Sequence, residues 1–123
     1  MTTMTCIANI CVVIVGLLHV GFLIYEMFFW DKSFSLPKLN LEQPKYPTTP
    51  KSLAANLGLY NGFVAAGLCW SLIPDAPGTP IKLFFLSFVV VAGVFGGLTT
   101  RRAILLAQAL PGAVALALVW LSV

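Results

Sequence analysis

TCIANICVVIVGLLHVGFLIYEMFFW, residues Thr5 to Trp30, is an almost unbroken apolar run whose one charged side chain is Glu26. A bilayer's hydrocarbon core, about 30 Å thick, is crossed by ~20 apolar residues in a helix. This stretch is longer than that. Three more runs of comparable character follow, Leu53 to Ile73, Ile81 to Thr100 and Ala103 to Leu121. Hydrophobic residues make up 59% of the chain and charged ones 9%, with a mean hydropathy of +0.97. A soluble domain of 123 residues has too little interior to hide so much apolar surface. The chain therefore reads as an all-α, four-helix transmembrane bundle forming a single integral membrane domain over residues 1–123. The first run is too long for a signal peptide, has no basic segment before it and ends without small residues, so it is expected to be a retained span.

The charges orient the bundle. If the helices alternate in direction, Lys32, Lys38, Lys45, Lys51, Arg101 and Arg102 fall on one side and only Lys82 on the other. That bias predicts loops 31–52 and 101–102 in the cytoplasm and both termini outside. Trp30, Trp70 and Trp120 sit where interfacial anchors belong. A net charge of +3, so dispersed, gives no reason to expect nucleic acid as a partner. The expected partners are the lipid bilayer and either a second copy of the chain or a larger membrane complex. Cys6, Cys11 and Cys69 match no metal-ligand spacing and read as small apolar side chains. Cys6 and Cys69 fall near the same surface, where a disulfide is the alternative. No metal site and no cofactor is expected.

Between the first two runs, Pro37, Pro44, Pro47 and Pro50 argue against regular helix, while Phe34, Leu36, Leu39, Leu41 and Tyr46 suggest a loop lying on the bundle or the headgroups. Such a loop is either a surface tether or a lid. Gly58, Gly62 and Ala66 recur every fourth residue in the second run. Together with Gly93 and Gly97 in the third, they predict close helix–helix approach. Pro111 should kink the fourth helix, since it cannot bond the carbonyl of Ala107.

Polar residues inside spans usually face the bundle interior, so they are the best map of a site. The map comprises His19, Glu26, Asn56, Tyr60, Asn61 and Gln108. At a rise of ~1.5 Å per residue, Glu26, Asn56 and Gln108 lie roughly 6–8 Å below the cytoplasmic surface. His19 and Glu26 share a face of the first helix, and Asn56 and Tyr60 share a face of the second. They are expected to converge on one cytoplasmic layer. Glu26 is either an anchor pairing with Arg101, Arg102 or Lys51, or a carboxylate that titrates, binds a cation or grips a polar substrate. His19 is an interhelical strut or a proton relay. Asn56, Asn61 and Gln108 are interhelical glue or ligand contacts.

His19, the run Glu26-Met27-Phe28-Phe29-Trp30 and the run Asn56-Leu57-Gly58-Leu59-Tyr60-Asn61-Gly62-Phe63 together resemble domain of unknown function 1304, a family of small bacterial membrane proteins. Val91-Ala92-Gly93 through Gly97-Leu98-Thr99, and Gln108-Ala109-Leu110-Pro111, extend the resemblance over nearly the whole chain. Leu57 stands where the family usually has glutamine, and Gly21 and Phe22 occupy a region where it often has tyrosine. The resemblance implies a four-helix protein of the bacterial inner membrane and supplies no activity.

No nucleophile elbow, phosphate loop or zinc-hydrolase motif is present, so an enzyme is not the expected reading. Three functions fit. The first is a structural or accessory membrane component whose polar cluster, open to the cytoplasmic side, holds helices together. The second is a proton-coupled transporter acting as a dimer. The third is an enzyme or binder for a lipid or quinone in the cytoplasmic leaflet, with His19, Glu26, Asn56, Tyr60 and Gln108 as its site.

Overall fold

A computed structural model describes residues 1–30 and 50–123. The proline-rich stretch 31–49, and with it the choice between tether and lid, lies outside the described residues. Helix α1 spans Thr3–Phe28. Thr2 caps it: its extended backbone turns the chain in, and its hydroxyl accepts the Thr5 N–H at 3.1 Å. Pro50 stands just before α2, Lys51–Trp70, where a missing N–H costs nothing.

The second span was expected to reach Ile73, but α2 stops at Trp70. Pro74 disfavours helical backbone at Ile73. The exit tightens into bonds from Leu72 N–H to Cys69 O at 3.0 Å and from Ile73 N–H to Trp70 O at 3.1 Å. Asp75 then takes a left-handed conformation, φ 70°. A methyl on Gly78 would lie 2.7 Å from the Ser71 carbonyl oxygen, so the turn closes there only without a side chain. Helix α3 follows as Gly78–Thr99.

After helical Ala103 and Ile104, the last segment opens into a π turn, Leu105–Ala109, in which the Leu110 N–H reaches back to Leu105 O. Helix α4, Leu110–Leu121, continues from it with Pro111 in its first turn. A turn widened by one residue lies just ahead of Pro111, the residue expected to kink this helix. That relieves the clash a proline makes with the preceding turn.

Each helix packs on the next, and α4 returns to α1, so the four form a closed ring. Directions alternate. Gly58 and Gly62 of α2 lie beside Met27 and Leu23 of α1, while Leu68 lies beside Gly16. Gly93 and Gly97 of α3 lie beside Ala109 and Leu105, while Gly112 lies beside Val89. The core holds Ala8, Val12, Val15, Val64, Leu68, Leu86, Val89, Ala115 and Val119. Most of these are small. The bulky side chains Phe84, Phe88, Phe95, Leu98, Leu106 and Trp120 face outward, each more than half exposed. In water that distribution would be inverted. In lipid it is natural, because tails are as apolar as leucine and helices associate by close backbone approach. Helices α1, α2 and α3 are each long and apolar enough to cross a membrane, and Leu105–Leu121 is a shorter apolar helix. The chain is a four-helix, membrane-type bundle.

Candidate functional site

Glu26 and Asn61 meet across the glycine-lined seam between α1 and α2. A β-carbon on Gly58 would be 2.8 Å from Met27 Cγ and 3.2 Å from both Glu26 Cβ and the Leu23 carbonyl oxygen. One on Gly62 would be 2.5 Å from Leu23 Cδ1. These two glycines let α2 settle against the end of α1 that carries Glu26. Asn61, one turn on from Gly58, then donates its Nδ2–H to the Glu26 Oε1 carboxylate oxygen. Both side chains are half-buried. A carboxylate withdrawn from water is costly unless a donor meets it, and here the donor comes from the neighbouring helix.

The remaining candidates do not join this pair. His19 lies in the core, 1% exposed, on the stripe Ala8, Val12, Val15, His19. Its Nδ1 bonds the Val15 carbonyl oxygen of its own helix at 2.8 Å, and its ring packs edge-on to Phe22 at 5.3 Å. Its Nε2 is buried with no hydrogen-bond partner. Gln108, inside the π turn, points its Nε2–H at the Val89 carbonyl oxygen of α3 across a long 3.5 Å.

Asn56 and Tyr60 face away from the ring. Tyr60 is 58% exposed, its ring edge-on to Phe63, and Asn56 is exposed too. Asn56 shares a shallow open groove of about 500 Å³ with Met27, Ser52, Leu53, Ala55 and Leu59. The anticipated convergence of His19, Glu26, Asn56, Tyr60 and Gln108 is therefore not formed. The cause is helix rotation: Asn56 and Asn61 are five residues apart, about 140° around α2, so only one can face α1. Ala66 is exposed as well and takes no part in the glycine seam. Steps of four overrun a 3.6-residue turn, so contacts that begin at Gly58 and Gly62 drift to Leu68.

Asn9 and Lys82 form a polar contact absent from the expected set. Lys82 Nζ donates to Asn9 Oδ1 at 2.7 Å across the diagonal of the ring, near the Pro74–Gly78 turn. Lys82 was conspicuous as the lone cation of its side. Nothing in the sequence linked it to a residue 73 positions away. Cys6, Cys11 and Cys69 are all free thiols. Among the described residues, no group of three His, Cys, Asp or Glu side chains comes together.

Residues 13–120 match the family described as "Protein of unknown function (DUF1304)", a span that takes in Glu26, Asn61, both seam glycines and the π turn. The chain belongs to this family. In this DUF1304 member, Glu26 of α1 and Gly58, Asn61 and Gly62 of α2 build the seam. The chain is also similar to an uncharacterized protein, YpaA, of Lactococcus lactis subsp. lactis (strain IL1403), 27% identical over 78 residues. That alignment covers 63% of this chain and 62% of the relative. No solved structure matches the chain.

Proposed function

We propose that this DUF1304 protein is a structural or accessory component of a bacterial inner membrane, with its intramembrane polar groups serving helix assembly. The observation that carries the reading is the Glu26–Asn61 bond. The one carboxylate within the spans is engaged by a neighbouring helix at a glycine-lined seam. Gln108 and Lys82 also direct their donors to other helices. Groups spent this way are poorly placed to bind and release a substrate. The charge asymmetry supports an orientation with both termini outside and loops 31–52 and 101–102 in the cytoplasm.

Reconstitution into phosphatidylethanolamine–phosphatidylglycerol vesicles tests the reading. An imposed pH gradient should decay at the rate of protein-free vesicles, for the native chain and for Glu26→Gln alike. Decay accelerated by the native protein and abolished by Glu26→Gln would replace this function with proton-coupled transport.

A further inference from the structure

His19 is the chain's single histidine, and one of its ring nitrogens has nothing to bind. The side chain is 1% exposed, in the core stripe of α1. Its Nδ1 lies 2.8 Å from the Val15 carbonyl oxygen, which can only accept, so Nδ1 carries the proton. In the neutral ring Nε2 is then a bare acceptor. Buried polar atoms are nearly always paired, so an orphan of this kind calls for a reason.

Protonation would make Nε2 a second donor, and the core around it offers no acceptor. Gly16 lies beside Leu68 of α2, and Leu23 lies beside Gly62, which brackets His19 at the level of residues 63–67 of α2. The buried residues there are Val64 and Gly67. Every buried residue of α2, α3 and α4 is alanine, glycine, valine, leucine or isoleucine. The titratable groups of the described spans stand elsewhere. On α1, Glu26 and Cys11 lie ~10–12 Å along the helix from His19, and Tyr25 packs edge-on to Trp30. Tyr60 and Cys69 of α2 are exposed. Lys82 of α3 is bonded to Asn9, and Leu105 to Leu121 contain no titratable side chain. The interior amides are directed elsewhere too, Asn61 to Glu26 and Gln108 to the Val89 carbonyl oxygen.

We propose that His19 is an acid-sensitive latch: the four-helix ring closes around the neutral imidazole and opens when that side chain takes up a proton. Above about pH 7 the imidazole is neutral in the open and the closed chain alike, so the ring keeps its full stability. Below about pH 6.5 the opened chain gains a proton for which the closed core has no acceptor, so stability falls with pH. An imidazolium held among valine, alanine and glycine is a buried charge without a counter-charge, and the closed ring excludes it. Helix α1 carries the latch and packs on both α2 and α4, so its release loosens two sides of the ring at once. The latch goes beyond the accessory reading and does not rest on it: the vesicle test of that reading follows proton flux, whereas the latch is read from packing.

Hydrogen–deuterium exchange of the α1 amides in the full chain, in mild-detergent micelles at pH 8 and pH 5, tests this. After correction for the intrinsic pH dependence of exchange, protection should fall roughly ten- to thirty-fold at pH 5, which is about 1.5 units below the ordinary imidazole value. His19→Leu should keep its protection at both pH values, and Glu26→Gln should lose it as the native chain does. On the native chain alone, nitrogen-15 labelling of the single histidine should show the neutral Nδ1–H form at pH 8, with the imidazolium signal appearing only as protection is lost. Equal protection of the native chain at both pH values would overturn the proposal. So would a pH response that survives His19→Leu or disappears in Glu26→Gln, or an imidazolium formed while the α1 amides stay protected.

Discussion

Gly93→Ala should destabilise the bundle even though alanine is the better helix former. A β-carbon at Gly93 would sit 2.6 Å from the Ala109 backbone nitrogen, 2.8 Å from its Cα and 2.9 Å from its Cβ. The first two are main-chain atoms of the π turn, so no rotamer change can clear them. Restoring ordinary contact requires α3 and α4 to separate by about 0.8 Å, a gap that forfeits a quarter to a half of the dispersion energy of the atoms it parts. Overpacking of this kind costs about 1–3 kcal/mol. The gain in helix propensity offsets about 1 kcal/mol. The net expectation is a loss of up to about 2 kcal/mol.

Gly21→Ala is the matched control, since a β-carbon there meets nothing within 4 Å. It should gain up to about 1 kcal/mol. The two variants make the same chemical change in helices of the same chain, so the propensity gain cancels and they should differ by the overpacking cost, about 1–3 kcal/mol. Helicity followed by circular dichroism while sodium dodecyl sulfate is titrated into mild-detergent micelles measures the difference. A Gly93→Ala protein as resistant as Gly21→Ala would refute the close-packed α3–α4 seam.

Replacing Asn61 with leucine leaves the Glu26 carboxylate without its interhelical donor and should cost about 1–3 kcal/mol. Glu26→Gln keeps an acceptor facing Asn61 and should cost less than about 1 kcal/mol in the same titration; the opposite ranking would show that the bond does not organise the seam. At the Pro74–Gly78 turn, Asp75 holds a positive φ of 70°. Asp75→Gly should therefore be neutral or stabilising, and Asp75→Val should lose about 1–2 kcal/mol, as read from thermal unfolding in detergent. A valine variant as stable as the glycine variant would argue for a different turn.

Motif recognition reached the family through the run from Glu26 to Trp30 and the run from Asn56 to Phe63. Gly93 and Gly97 stand out in sequence as small residues in an apolar helix. That they rest on a π turn does not, since a proline in sequence leaves open how the turn before it adjusts. Asn56 and Asn61 look equivalent on paper. The rotation of α2 sends one to Glu26 and the other outward.

Sequence alone determined that this chain is a bundle of apolar helices suited to a membrane. Length and hydropathy suffice for that, because a bilayer accepts few other spanning structures and every helix must satisfy its own backbone. It could not determine which face of each helix turns inward. In a soluble bundle, polar and apolar sides announce the interior; here large apolar residues such as Phe84 and Phe95 look outward while alanine, valine and glycine fill the centre. With no hydrophobic contrast between inside and outside, close backbone packing chose the rotations. The pairing of Glu26 with Asn61, the diagonal bond from Lys82 to Asn9 and the outward turn of Asn56 all follow from that choice.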